Sequence, residues 1–503
     1  MALKGLFRKK TVQDIMKQVE QNESDGHAAL GKHLTARDLT AFGIAAIVGA
    51  GIFSTIGKAS ADGGPAVIFL FLFTALACSF AAFAYAEFAS MVPVSGSAYT
   101  YSYVAFGEII AWIIGWALIM EYALGAATVS IAWSEYLNKL TGGAIPYEWS
   151  HSPFESFTDS MGVAHSGIMN APALIILLAL TLLLIKGSQE SAIVNAIIVF
   201  IKVAIVIIFI AVGWQFIKPE NHTPYLIPAG QAAVTDSAGK VIADYSGAFK
   251  HGWGGVLGGA AIVFFAFIGF DAVSTAAQEA KNPKRDMPIG ILGSLVVCTI
   301  LYVLFGHVLT GVAPWTDFVD PEKGREASVA YAISTYMTGY GWLATAVTIA
   351  ILAGFSSVIL VMLMGQSRIF YSMSKDGLLP KAFGDLHPKY QTPYKSNWIL
   401  FVFVGLFAAF VPGSVAGDLT SFGTLFAFVL VSLGIWILRR KSPEMERPFK
   451  TPLVPLVPIL GAVICLAMIF ALDMQTLKVA FIWMILGLFV YFFYSKKTSK
   501  LND

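Results

Sequence analysis

One glycine-broken apolar stretch near the start of the chain decides the fold, Ala41-Phe42-Gly43-Ile44-Ala45-Ala46-Ile47-Val48-Gly49-Ala50-Gly51-Ile52-Phe53. Its flanks suit lipid, yet each central glycine costs a helix about 1 kcal/mol relative to alanine. Irregular backbone survives in a bilayer only where it is buried in protein or lines a cavity. A helix unwound at residues 49–51 would present free N–H groups and a positive dipole end, which suit a carboxylate. The stretch therefore predicts a substrate site, although glycines also serve close helix packing.

The composition indicates an integral membrane protein. Of 503 residues, 57% are hydrophobic and 13% charged, and the mean hydropathy is +0.71, outside the range of soluble domains. A net charge of +2 gives no indication of a nucleic-acid partner. The three cysteines all lie in apolar runs without short Cys/His spacings. They predict neither a disulfide framework nor a metal site.

Apolar runs long enough to cross the hydrocarbon, about 20 residues each, predict twelve transmembrane helices. They cover approximately residues 38–58, 65–91, 106–137, 169–186, 191–216, 253–278, 288–312, 342–372, 397–412, 419–438, 453–472 and 477–494. Between spans two and three, the tyrosine-rich segment 97–106 is expected to lie along the membrane interface, a depth that aromatic residues prefer.

The distribution of basic residues predicts the orientation. With the N-terminus inside, inner segments hold 24 Lys and Arg, outer segments hold eight, and Lys202 completes the 33. That asymmetry places both termini in the cytoplasm of a multi-pass cell-membrane protein. The predicted organisation is a cytoplasmic tail at 1–37, a core of ten helices at 38–440, helices eleven and twelve at 441–494, and a cytoplasmic tail at 495–503.

A second stretch repeats the pattern of the first, Gly258-Gly259-Ala260-Ala261-Ile262-Val263-Phe264-Phe265-Ala266-Phe267-Ile268-Gly269-Phe270-Asp271. Spans one and six begin two sets of five helices, and paired breaks at corresponding places indicate an inverted-repeat transporter with its site at the midplane. The expected carboxylate donors are the N–H groups of Gly49, Ala50 and Gly51. The expected ammonium acceptors are the carbonyls of Ile47, Phe265, Ala266 and Ile268. A ligand carrying both charges a few ångströms apart is an α-amino acid.

Three motifs carry a family resemblance: Gly49-Ala50-Gly51-Ile52-Phe53, Phe270-Asp271 after Gly269, and Ser374-Lys375-Asp376-Gly377-Leu378-Leu379-Pro380. Over about residues 30–495 the chain resembles the amino acid–polyamine–organocation superfamily, and within it the cationic amino acid transporter-like bacterial permeases. The resemblance implies an all-α leucine-transporter fold with spans one to five and six to ten as inverted repeats. The amino acid would be clasped between the broken helices, with access alternating between the two faces.

Lys202 stands in the middle of span five. An ionisable group at that depth costs from about 3 kcal/mol upwards and is a functional hypothesis by default. In proton-coupled members of the family, the resemblance implies, such a lysine takes the place of a bound sodium ion. It would then reach backbone carbonyls near Ile47 and the hydroxyls of Ser356 or Ser357. The alternative is a permanently charged lysine that ties helices together.

Acidic residues also occur within the spans. Glu121 and Asp271 could relay protons, balance a cationic substrate side chain, or stabilise the backbone locally. For Asp271 we favour the last role, because an acid just past a helix break can accept backbone N–H groups. Glu87, near the inner end of span two, is expected at the interface, where its cost is small.

The side-chain pocket is predicted from span eight, where Val358 and Met362 share one helix face. The resemblance implies that this helix forms a wall of the pocket. Met362 would then limit substrate size and favour alanine and other small neutral amino acids, with Phe265 as an aromatic lid. Ordinary packing is the alternative for both residues.

The sequence therefore predicts a secondary active transporter for proton-coupled uptake of small neutral L-amino acids such as alanine. The proton is the coupling ion, with no cofactor and no metal. A transporter of arginine and lysine, and an exchanger or uniporter, stay open as alternatives. A membrane enzyme or a channel is disfavoured, because no catalytic cluster or repeated filter sequence occurs. The expected partners are the amino acid and membrane lipid, not nucleic acid, and a small accessory membrane subunit is left open.

Overall fold

The computed structural model of the chain describes residues 8–11, 34–94, 96–158, 164–235, 241–247, 249–319, 328–472 and 474–502. Most of the predicted N-terminal tail, residues 1–37, therefore lies outside the described residues. The described chain is dominated by helices, and every stretch predicted to span the membrane is occupied by helix.

The α-helices follow one another with few long interruptions. In chain order they are α1 Ala36–Ile47, α2 Ala50–Gly63, α3 Val67–Met91, α4 Ser97–Ala105, α5 Glu108–Ile119, α6 Gly125–Leu140, α7 Tyr147–Ser150, α8 Ala171–Lys186, α9 Ser188–Gly213, α10 Gly252–Phe264, α11 Pro283–Val312, α12 Ser328–Tyr336, α13 Gly341–Lys375, α14 Tyr394–Phe410, α15 Gly413–Lys441, α16 Leu456–Phe470, α17 Met474–Val490 and α18 Lys496–Thr498.

Shorter elements join these helices. The π-helical turns are Met120–Leu124 and Tyr491–Ser495, and the 3₁₀ turns are Gly64–Ala66, Trp214–Phe216, Pro219–His222, Phe265–Phe267, Asp271–Glu279, Trp315–Phe318, Lys381–Gly384 and Lys500–Asn502. Two small antiparallel hairpins lie in the predicted outer loops. They pair β1 Ser156–Thr158 with β2 Ala164–Ser166, and β3 Val234–Thr235 with β4 Val241–Ala243.

The helices confirm an all-α, multi-pass membrane protein. Within the described ranges, eight helices are long and apolar enough to cross a membrane, or nine if the bent pair after Gly252 counts as one. Three shorter apolar helices, α8, α14 and α16, accompany them. α11 packs along α1 and α3, whereas α13 packs along α6 and α9.

Helix α4 corrects the interfacial prediction for residues 97–106. All nine of its residues are buried, and Tyr99, Tyr101 and Tyr103 are among the largest fully buried side chains. Two of the phenols find protein partners instead of lipid headgroups: Tyr99 donates to Asp376 at 2.6 Å and Tyr103 to Glu108 at 2.9 Å. Aromatic composition alone could not distinguish these two environments.

The C-terminal residues fold back onto the chain. Ser495 donates to the Leu378 carbonyl at 2.8 Å, and the Lys500 amide donates to the Asp376 carbonyl at 3.1 Å. Between them the chain crosses Gly377 so closely that a Cβ there would lie 2.2 Å from the Thr498 carbonyl oxygen. Gly377 also has φ +79°, which favours glycine. Close packing and the backbone angle therefore both explain why the Ser374–Pro380 motif has glycine at this position. Lys10 binds the Asp376 carboxylate from the other end of the chain.

Glu87 is a buried junction and not an interfacial residue. Its carboxylate is 0% exposed and accepts from Arg439 Nε at 3.0 Å and Nη2 at 2.7 Å. The Thr451 amide donates to it at 2.7 Å, and Arg447 Nε lies 3.3 Å away. These contacts join α3 to the end of α15 and to the segment that leads into α16.

We expect Glu87→Gln to destabilise the protein by about 3–5 kcal/mol, because two partly buried guanidinium groups lose the counter-charge of a fully buried carboxylate. Thermal unfolding in detergent, followed by tryptophan fluorescence, should show a midpoint lowered by about 5 °C or more. The matched control is Glu446→Gln, which breaks an exposed ion pair with Lys284 at 3.1 Å and should change stability by less than about 1 kcal/mol. Equal unfolding midpoints for the two variants would show that the Glu87 contacts do not stabilise the protein.

Candidate substrate-binding site

The first broken helix is interrupted between α1 and α2. Helix α1 ends at Ile47, Val48 is extended with ψ 95°, and Gly49 has φ −170° and ψ −131° before α2 begins at Ala50. The first N–H groups of α2 have no intrahelical acceptor. A Cβ on Gly51 would lie 2.3 Å from the Ala266 Cα atom. Only glycine therefore allows this approach to the second broken helix.

The second broken helix is interrupted after α10. The turn Phe265–Phe267 follows, then extended Ile268 with ψ 134°, and then Gly269 with φ +121°. The two halves are bent by 49° relative to each other. A Cβ on Gly269 would lie 2.9 Å from the Ala46 carbonyl carbon. The two breaks thus face each other across backbone contacts.

Tyr302 of α11 connects the two breaks, a role that was not predicted from the sequence. Its hydroxyl lies 2.8 Å from the Ile47 carbonyl and 3.0 Å from the Ala266 carbonyl, and the residue is 1% exposed. These are two of the four carbonyls predicted to accept a substrate ammonium group. A single tyrosine in an apolar helix is usually a packing residue, so only the tertiary contact reveals this role.

Two small cavities lie at the breaks, each about 10 Å³ in volume, the space of roughly one water. The first is lined by Ala46, Ile47, Gly51, Val129, Phe265, Ile268, Val358 and Met362. The second is lined by Ala46, Glu121, Tyr122, Ile268, Gly269, Ala272, Val358, Val361 and Met362. Most of the predicted site residues therefore meet here. In this conformation the chamber is too small for an amino acid.

Lys202 lies behind the first break. It is 0% exposed, and within the described ranges its ammonium makes one hydrogen bond, to the Ala45 carbonyl. A cation suits this position, because the carbonyl end of α1 carries the negative end of the helix dipole. Among the residues that the structure describes, no hydrogen bond joins this ammonium to Ser356 or Ser357. Ser356 instead donates to the Leu352 carbonyl of its own helix at 2.9 Å, the usual competitor for a helical serine.

Comparison with known proteins identifies the family. A family model described as amino acid permease matches residues 34–493. The chain belongs to the amino acid permease family. It is 41% identical to a branched-chain amino acid permease of Bacillus subtilis over 100% of both chains. It is 37% identical to a methylthioribose transporter of the same organism over 99% of this chain and 100% of the other.

A vacuolar cationic amino acid transporter of Arabidopsis thaliana is 33% identical over 88% of this chain and 68% of its own. These matches confirm membership of the amino acid–polyamine–organocation superfamily. Because the relatives are permeases and transporters, the protein is a transporter of amino acids and not an enzyme.

The permease also buries a pair of acids below the second cavity. Glu121 lies in the π-helical turn Met120–Leu124, within hydrogen-bonding reach of Asp271. Tyr122 donates to Asp271 Oδ2 at 2.7 Å. Backbone N–H groups of Gly269 and Asp271 also act on this carboxylate, so the expected local role of Asp271 stays a prediction. Among the described residues, neither carboxylate oxygen of Glu121 accepts a hydrogen bond, and neither does Asp271 Oδ1. If both acids were ionised, two negative charges would therefore face each other without a donor between them. A proton held between them relieves this arrangement.

Proposed function

We propose that this permease is a proton-coupled secondary transporter of neutral aliphatic L-amino acids, from alanine to the branched-chain ones. The proposal rests on the interruptions of the two broken helices, which face each other. The amides of Gly49, Ala50 and Gly51 stand at the start of α2, and the carbonyls of Ile47 and Ala266 stand across from them. A zwitterion placed between them has its carboxylate at N–H donors and its ammonium at carbonyls. Phe265 and Ile268 supply further carbonyls at the same break.

The proposed architecture has twelve spans, with spans one to five and six to ten as inverted repeats and α16 and α17 outside them. The eight or nine long helices together with the three shorter apolar ones support this number. The breaks begin the two proposed repeats, as expected for alternating access. Both termini lie in the cytoplasm under this proposal, which agrees with the excess of basic residues on that side.

The substrate class follows from the lining of the chamber. Apart from Glu121 and Tyr122, its side chains are apolar, and Val358 and Met362 belong to both cavities. An aliphatic side chain fits such a lining, whereas a guanidinium group would lose hydration. The resemblance to a full-length branched-chain permease favours the same class.

Lys202 provides the proposed proton coupling. Its ammonium holds the carbonyl of Ala45 in the last turn of α1, directly before the break at Gly49. Loss of the proton removes the charge that binds this carbonyl, so protonation and the position of α1 are linked. The Tyr302 hydroxyl spans the same break from the other side. When a substrate ammonium arrives, it takes over the Ile47 and Ala266 carbonyls.

Counterflow in proteoliposomes tests the substrate class. Vesicles loaded with unlabelled alanine should take up labelled alanine, and external valine, leucine or isoleucine should compete. Arginine, lysine and methylthioribose serve as competitors from the other named classes. Competition by the aliphatic amino acids alone supports the proposal. Competition by arginine alone, or by methylthioribose alone, would overturn the proposal and would identify that compound's class as the substrate class.

Met362 provides a prediction about substrate size. Met362→Ala joins the two cavities into one, so phenylalanine should compete with alanine at least about tenfold better than in the wild type, as expected for a relieved steric clash. The control is Met364→Ala, two residues along α13, which lines a different apolar cavity of about 600 Å³. Unchanged phenylalanine competition in Met362→Ala, with alanine uptake intact, would show that Met362 does not limit size.

A further inference from the structure

Helix α2 has one accessible face. Six helices pack around it: α3, α6, α10, α11, α12 and α13. All of its described side chains are buried except three, because Thr55 and Asp62 are half-buried and Lys58 is exposed. These positions are three and four residues apart and therefore share one helix face. Gly51 lies four residues before Thr55 on the same face.

An access path from the predicted outer side would run along this face. Because α2 is enclosed by helices, an exposed residue in its middle faces an opening between them. A lysine ammonium tolerates water there but not hydrocarbon. The other sides of α2 are covered: Tyr136 donates to the Phe53 carbonyl at 3.0 Å and Tyr245 to the Ala61 carbonyl at 3.1 Å. Half-buried Thr55 continues this face from exposed Lys58 toward the buried Gly51.

Lys58 is a fixed positive charge in this path. Seven residues of helix separate it from Gly51, about 10 Å along the axis. Across the part of the chain that the structure describes, its ammonium has no hydrogen-bond or ion-pair partner. Asp62, one turn further out, is the other charge on the face. An incoming amino acid thus meets an unpaired ammonium before it reaches the amides at the break.

We propose that Lys58 is a specificity-determining residue, which draws the substrate carboxylate inward and excludes cationic amino acids. This inference rests on the proposed function. It concerns how the transporter selects neutral amino acids over cationic ones. A neutral amino acid presents its carboxylate to the ammonium with no net repulsion. Arginine and lysine carry a net positive charge, and at about 10 Å in a partly hydrated path the repulsion amounts to a several-fold loss of occupancy.

The test compares Lys58→Gln, Lys58→Glu and the charge-conserving Lys58→Arg in proteoliposomes. Relative to alanine, arginine should compete about fivefold better in Lys58→Gln and better still in Lys58→Glu, with no change in Lys58→Arg. The differences should shrink at high salt, because water screens charges in an open path. The control is Lys478→Gln, on the exposed surface of α17, which is not one of the helices packed around α2 and should leave the ratio unchanged.

A labelling experiment tests the location separately. The native cysteines Cys78, Cys298 and Cys465 are all buried, so Lys58→Cys offers one reactive thiol. An impermeant thiol reagent added to intact cells should modify it, and alanine should slow the reaction. Absence of labelling from outside, or an arginine-to-alanine ratio unchanged in Lys58→Glu with uptake intact, would overturn the inference. Wild-type protein that fails to transport any neutral amino acid would instead overturn the proposed function.

Discussion

Lys202→Met should abolish accumulation of alanine against its gradient, with the pH-driven uptake rate reduced at least about 100-fold. Methionine keeps the length of the side chain but cannot carry the proton or bind the Ala45 carbonyl. Breaking a charge-assisted hydrogen bond to a buried group costs about 1.5–3 kcal/mol, and loss of the titrating group removes coupling altogether. The measurement is uptake of labelled alanine into proteoliposomes with an inward proton gradient.

The control for this variant is Lys186→Met, at the exposed end of α8, which should accumulate alanine normally. Counterflow without a gradient distinguishes coupling from folding. Lys202→Met that retains counterflow but not accumulation supports the coupling role. Full accumulation in this variant would assign proton coupling elsewhere, and the Glu121 and Asp271 pair would be the next candidate.

Gly51→Ala should prevent substrate binding, with an affinity loss of about 100-fold. The added methyl group would lie 2.3 Å from the Ala266 Cα atom and 2.7 Å from the Phe265 carbonyl oxygen. Both are backbone atoms at the second break and cannot rotate away, so the two broken helices must separate. Overpacking of this kind costs about 1–3 kcal/mol. Thermal stabilisation by alanine or leucine, measured in detergent, reports the affinity.

The control substitution is Gly417→Ala in α15. Its added Cβ would lie 3.4 Å from the Thr128 methyl group, an ordinary contact, and alanine is the better helix former. This variant should bind substrate normally and be no less stable. Normal stabilisation by substrate in Gly51→Ala would contradict a site formed by the two breaks.

The sequence was most informative where local chemistry is unusual. Gly49 and Gly51 in one apolar run, and Gly269 before Asp271 in another, cannot continue ordinary membrane helices. Their positions therefore predicted both breaks and, through them, most of the lining of the two cavities. Lys202 was recognisable for the same reason, since a charge in a long apolar run requires a partner.

Contacts between distant parts of the chain could not be predicted. The partner of Glu87 is 352 residues away at Arg439, so the distance from the helix end indicated an interfacial position that the fold does not give it. Tyr302 resembles any aromatic residue in a membrane helix until the Ile47 and Ala266 carbonyls are brought to its hydroxyl. Ser356, which was expected near Lys202, donates to a carbonyl of its own helix instead.

If the amino acid and the proton cross together, proton movement must accompany amino acid uptake, and it can be measured. Proteoliposomes that contain the wild-type protein and a trapped pH-sensitive dye, with no imposed gradient, receive alanine or leucine from outside. We expect acidification of the interior that requires the amino acid and is absent in Lys202→Met vesicles. Uptake of labelled amino acid at the same rate with no change in internal pH would contradict it.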